Sequence, residues 1–150
     1  MPETINFYHL GEPYGEFSNF ARFPIKLDGK TWPTSEHYFQ AMKFLDDANR
    51  AEVRGAKTPA GAARLGRDRS KPLRRDWESV KDNVMRQAVL AKFTQHEDLR
   101  KLLLETGDAK LVEHTENDDY WGDAGDGSGK NMLGRILMEV RGQLREMKVL

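Results

Sequence analysis

Near the end of the chain, Leu133, Ile136, Leu137, Val140 and Leu144 recur at three- and four-residue steps. That spacing gathers them on one face and predicts an amphipathic helix. Val80, Val84, Ala88, Ala91 and Phe93 form a looser face, which predicts the longest helix over "DWESVKDNVMRQAVLAKFTQH", capped by Asp76. A helix that starts at Pro33-Thr34-Ser35 should run to about Leu45. A short one covers Ala48 to Arg54, and "EDLRKLLLETG" gives another, ended by Gly107. In "KTPAGAARLGR", Thr58 serves as cap, Pro59 as first helical residue and Gly66 as exit.

The β-type signals are fewer. "INFYHL" and "AKLVEHT" read as short strands, and "FPIKLDGKTW" as a hairpin turning at Asp28-Gly29. Residues 122 to 129, rich in Gly and Asp, form a loop. The sum is an α+β chain, predominantly helical, with a small hairpin and short strands. Strands and helices do not alternate, which argues against a doubly wound nucleotide fold. With no repeat or linker among its 150 residues, the chain is expected to form a single domain spanning 1–150.

Composition narrows the function. Lys+Arg and Asp+Glu both total 24, so no global basic field draws the chain to nucleic acid, although a local patch remains open. The absence of cysteine removes disulfides, thiol nucleophiles and thiolate metal sites. Four histidines stand singly, without HExxH spacing, so no metal and no cofactor are expected. No apolar run approaches the ~20 residues of a membrane span and no leader pattern opens the chain, so a cytoplasmic protein is expected.

Three stretches carry candidate chemistry. In "TWPTSEHYFQAMKF", Glu36 falls in the first turn of a largely apolar helix. The helix dipole alone would favour it there by ~0.3–1 kcal/mol. On a helix, however, Glu36 shares a face with Phe39 and Gln40, and a poorly solvated carboxylate tends towards a raised pKa, suited to acid or base work. "RLGRDRSKPLRRD" gathers Arg64, Arg67, Arg69, Lys71, Arg74 and Arg75 just ahead of Trp77. Such a run is an ordinary solvated face or a phosphate grip, with Trp77 either core or a platform for a base. "NDDYWGDAGDGSGKN" fits neither a calcium loop nor a Walker loop. Its glycines, just before a helix, expose backbone amides that suit an anion, unless the stretch is simply a surface loop.

Together "INFY", "GEFSNFARFPIKLDGKTWPTSEHYFQAMKF", "ARLGRDRSKPLRRDWESVK" and "KLVEHTENDDYWGDAGDGSGKNMLGRILMEVR" resemble the NADAR family, named for a predicted link to NAD and ADP-ribose. The resemblance covers essentially the whole chain. It implies a NADAR-like fold and an N-glycosidase acting on phosphoribosylated aminopyrimidine intermediates of riboflavin biosynthesis. It also implies that a short N-terminal extension is missing ahead of "INFY". Carried over by motif, the catalytic pair would be Glu36 and Asp118, with Asp119 and Asp123 as rivals for the second place. Trp77 would stack on the base, and Arg67, Arg69, Lys71, Trp121 and Asn131 would complete the substrate contacts. By analogy with sugar hydrolases, the two acids would steady positive charge at C1′ and activate water.

Two other readings stay open at this point. ADP-ribose on guanine in nucleic acid would need an open groove with basic flanks. A non-catalytic ADP-ribose-binding module would keep Trp77 and the arginines but have no use for Glu36. Oligomeric state is left undetermined.

Overall fold

The computed structural model describes residues 3–149, so residues 1, 2 and 150 of the expected span lie outside the described residues. The chain is α+β and predominantly helical, with four short strands and six α-helices among the described residues. It divides into two compact units, residues 22–92 and the remainder on either side.

The outer unit joins the chain's two ends. Strand β1 (Thr4–Phe7) pairs in parallel with β4 (Lys110–Glu113), Ile5 opposite Leu111 and Phe7 opposite Glu113. Helices α5 (Glu97–Glu105) and α6 (Met132–Val149) belong to this unit, with the last residues of α4 (Trp77–Gln95). The face foreseen for α6 is realised: Leu133, Ile136, Leu137, Val140 and Leu144 are all buried. Phe17 packs edge-on between Phe7 and Phe93, with ring centroids 5.7 Å away on each side. Gly134 lets α6 lie against β4, because a Cβ there would come within 2.1 Å of the Leu111 carbonyl oxygen.

The middle unit opens with the hairpin of β2 (Ile25–Leu27) and β3 (Lys30–Trp32). Asp28 and Gly29 both have positive φ, 56° and 76°, as the type I′ turn read from the sequence requires. Helix α1 (Ser35–Ala41) follows with every residue buried, so it is the unit's central element. Thr34 caps it, accepting the His37 backbone N–H at 3.1 Å. The His37 ring is tied to the Thr34 hydroxyl at 2.8 Å and to the Ala56 carbonyl at 2.9 Å. Burial pushes the His37 pKa down, so the ring is neutral, donating from Nε2 and accepting at Nδ1. The histidine beside Glu36 is thus a structural brace. Helices α2 (Asp47–Arg54) and α3 (Pro59–Arg67) come next, capped by Asp46 and Thr58.

Three local expectations need correction. Helix α1 stops at Ala41 instead of reaching Leu45. Arginines take the carbonyls that would otherwise shape its last turn: Arg74 bonds the Met42 and Lys43 carbonyls, and Arg50 the Phe44 carbonyl. Gly66 is not the exit of α3, which continues to Arg67. Asp76 sits where a cap belongs and its carbonyl accepts from Val80, but its carboxylate binds the Arg74 guanidinium at 2.6 and 3.0 Å. A neighbouring cation outcompetes amide capping there.

Candidate active site

In the middle unit, helical spacing puts Glu36, Phe39, Gln40 and Lys43 on one side of α1 and the turn that follows it. Glu36 is 8% exposed, and its Oε2 accepts a hydrogen bond of 2.7 Å from Gln40 Nε2. The other end of that amide, Gln40 Oε1, is buried with no hydrogen-bond donor among the described residues. A buried unpaired acceptor costs roughly 1–3 kcal/mol, so the 2.7 Å bond to Glu36 is the amide's main polar anchor.

Gly66 on α3 makes that arrangement fit. A Cβ at this position would lie 2.0 Å from Gln40 Oε1 and 3.0 Å from its Cβ. Gly66→Ala should therefore push the amide away from Glu36. We expect a folded protein with turnover lowered by about 10–100-fold, since misplacing a reacting group by about 1 Å has effects of that size. Steady-state kinetics and a thermal melt on the same preparation would check it; unchanged turnover would show that the Gln40–Glu36 bond is not needed.

Trp77, the first residue of α4, comes to the same region and meets Phe39 edge-on at 5.1 Å. It is only 6% exposed, so the open face expected of a stacking platform is not there. The ring is turned inward because the helix begins there and directs its first apolar side chain to the core. The Lys43 ammonium lies 5.9 Å from the Trp77 ring and 5.8 Å from Phe39.

The arginine-rich stretch splits into two groups. Lys71 is paired with Glu52, and Arg74 with Asp76, so neither stands open for a ligand. Arg67 and Arg69 remain exposed, although one Arg69 nitrogen donates to the Gly66 carbonyl. The expected grip thus contracts to Arg67 and Arg69, and Lys71 drops out.

The outer unit holds the other expected residues. Asp118 is half-buried, and its Oδ1 accepts the N–H groups of Tyr120 at 2.9 Å and Trp121 at 2.8 Å, bracing the loop. Asp123 is buried and accepts from Thr115, Gly125 and His114 Nδ1, at 3.0, 2.8 and 2.8 Å. Burial alone would raise its pKa, but these hydrogen bonds outweigh it and hold the carboxyl below its usual range. Asp123 is a structural hub of the loop, which weakens its claim as a rival to Asp118. Asp119 is exposed. Trp121 is half-buried and meets Tyr120 edge-on at 4.9 Å.

Two expectations for this loop do not hold. Asn131 is not available to a substrate: its side chain accepts the Glu113 N–H and donates to the Leu111 carbonyl, both at 2.9 Å, fastening the start of α6 to β4. The glycine amides are no anion cradle either. Gly127 and Gly129 donate to the Asp123 carbonyl, and the first amides of α6, at Met132 and Leu133, donate to Tyr120 and Trp121. These amides are taken up inside the loop and are not turned towards a phosphate.

The buried carboxylate of α1 thus lies in a unit that also carries Lys43, Arg67 and Arg69. The NADAR domain model matches residues 6–145, and the chain belongs to that family. The chain is 68% identical to N-glycosidase YbiA of Escherichia coli over 145 residues, covering 96% of this chain and 91% of that protein. It is 45% identical to riboflavin biosynthesis protein VVA0006 of Vibrio vulnificus, covering 97% of this chain and 40% of that one. The solved NMR structure of E. coli YbiA superposes with a TM-score of 0.92 at 65% identity, covering 99% of this chain and 89% of that one. Among the described residues no helix is long and apolar enough to cross a membrane.

Two residues that the structure brings beside Glu36 were not singled out as candidates by the sequence. Gln40 was seen only as a neighbour of Glu36, and its i, i+4 spacing was the available signal. Lys43 falls on the same face by helical spacing, but a lysine there reads as an ordinary solvated side chain.

Proposed function

We propose that this N-glycosidase, a hydrolase acting on N-glycosyl compounds, cleaves phosphoribosylated aminopyrimidine intermediates of riboflavin biosynthesis and releases ribose 5-phosphate. One observation carries the reading: a buried carboxylate, Glu36, fixed by Gln40, lies in a unit that also presents exposed cationic side chains at Arg67 and Arg69. A riboside needs an anionic group at C1′, and its 5′-phosphate needs a cationic one. The riboflavin biosynthesis name of the Vibrio relative supports the choice of substrate.

In this mechanism the bond from C1′ to the exocyclic nitrogen breaks with its electron pair going to that nitrogen, and the ribose passes through an oxocarbenium-like state. The Glu36 carboxylate steadies the positive charge or takes a proton from the attacking water. Water oxygen bonds to C1′ and the departing amine gains a proton. Gln40 fixes one carboxylate oxygen so that the group need not reorient as charge develops. Arg67 and Arg69 hold the phosphate by charge-assisted hydrogen bonds. Asp118 remains the proposed second acid.

The deciding experiment offers 5-amino-6-(5-phosphoribosylamino)uracil and ADP-ribosylated guanine in nucleic acid side by side and identifies the products. Ribose 5-phosphate and free pyrimidine are expected from the first. Turnover of the second substrate alone would replace this reading with ADP-ribosyl hydrolysis. Arg67→Ala and Arg69→Ala should raise KM for the phosphorylated compound and leave the dephosphorylated riboside little affected. Equal loss on both would mean the arginines support structure.

A further inference from the structure

Lys43 is placed as few lysines are. It is half-buried, and among the described residues no hydrogen-bond acceptor or ion-pair partner reaches its ammonium. A lysine kept for structure normally pairs with a carboxylate or extends its head into water. Here the head instead lies against Phe39 and Trp77, which orient it by cation–π attraction without neutralising it. The shortened α1 is what delivers it: the turn at Met42 and Lys43, held by Arg74, sets the side chain against the two rings.

The charged groups around it are few. Glu36 on its own helix attracts it, while Arg67 from α3 and Arg69 just beyond repel it. Arg74 and Lys71, close in sequence to this cluster, are paired with Asp76 and Glu52. Three cations, Lys43, Arg67 and Arg69, therefore gather near Glu36, with Asp68 acting on Arg69, and the cations outnumber the acids. Burial first, and then the Arg69 guanidinium, lower the Lys43 pKa to about 8, with Glu36 opposing and Arg67 adding to the shift. A cluster that strains its own lysine in this way calls for an anion.

We infer that Lys43 is the residue that selects for the phosphate group of the substrate, its ammonium held on Phe39 and Trp77 and donating to phosphate oxygens alongside Arg67 and Arg69. The inference rests on the reading that the substrate is a phosphorylated N-riboside, and it names the determinant of that preference. Lysine serves here as a point charge beside two planar guanidinium forks. Only protonated Lys43 can do this. Binding is therefore strongest well below about pH 8 and weakens as pH rises through that value. A phosphate monoester is already a dianion there, its second pKa being about 6.

The test titrates ribose 5-phosphate and, separately, ribose into wild type, Lys43→Met and Lys43→Arg by calorimetry, from about pH 7 to about pH 9.5. Wild-type affinity for ribose 5-phosphate should fall about tenfold across that range, the scale of one charge-assisted hydrogen bond. Lys43→Met should bind about tenfold more weakly at neutral pH and lose the pH dependence, whereas Lys43→Arg should keep its affinity at the alkaline end. Ribose should bind all three alike. Hydrolysis is read separately, where Lys43→Met should raise KM for the phosphorylated substrate about tenfold and leave kcat within about twofold.

A Lys43→Met protein with wild-type affinity and pH slope overturns the inference, as does a Lys43→Arg protein that still weakens at high pH. The second arm decides even if the methionine variant does not fold. Ribose 5-phosphate binding that depends on Lys43, with no turnover of the aminopyrimidine, would withdraw the substrate but keep this residue's role. Turnover with a KM that Lys43→Met leaves unchanged would do the reverse.

Discussion

Glu36→Gln should leave a folded protein whose turnover is lowered by about 100-fold or more. The substitution is nearly isosteric, and a glutamine carbonyl can still accept the bond that Gln40 now donates to Glu36. What the fold loses is small: at the first turn of a helix, the dipole's preference for a carboxylate is worth ~1 kcal/mol or less. What the reaction loses is the only charge on this face of α1 that could meet a developing cation. The change also removes the carboxylate that holds the Lys43 pKa up, so that pKa should move further below about 8. Rate and melting temperature, measured on one preparation, decide the matter. Full turnover in a protein that melts normally would return Glu36 to a helix-start role.

Trp77→Ala should destabilise the protein by ~3–5 kcal/mol, the range for truncating a large buried aromatic. With the whole of a domain's stability at about 5–15 kcal/mol, a change of that size leaves much of the chain unfolded under mild stress. The geometry gives the reason: the ring is buried, set edge-on to Phe39, and has the Lys43 ammonium 5.9 Å from its centroid. Trp77→Phe keeps a ring against Phe39 and should lose far less. Urea unfolding of the two variants checks both statements, and a loss below about 1 kcal/mol for the alanine variant would mean that the ring lies open after all. Phosphate binding by Trp77→Phe should weaken along with the support it gives Lys43, which separates this role from stacking on the base.

The sequence by itself determined the elements whose cause is local. The α6 face at Leu133, Ile136, Leu137, Val140 and Leu144 follows from a period that admits one burial solution. The hairpin follows from Asp28-Gly29, a pair that tolerates two successive positive φ angles. The caps Thr34 and Thr58 follow from hydroxyls placed one residue ahead of their helices. Glu36 was legible as a candidate because an acid stood out in a segment otherwise fit for burial.

Only the tertiary structure decided which polar groups were already taken. Lys71, Arg74, Asn131, Asp123 and the Gly127 and Gly129 amides all looked available, yet each is already partnered, Arg74 and the glycines nearby in sequence, Lys71 and Asn131 far away. Lys71 meets Glu52, nineteen residues away in sequence. Asn131 reaches Leu111, twenty residues away. Lys43 shows the converse, a residue without any motif that becomes unusual once Arg74 ends its helix early and two aromatic rings flank its head. A hydrogen bond or ion pair needs its two groups within a few ångströms, and sequence spacing sets that distance only inside one helix, strand or turn. Between elements, packing sets it, and so packing chose which of the charged residues were left to meet a substrate.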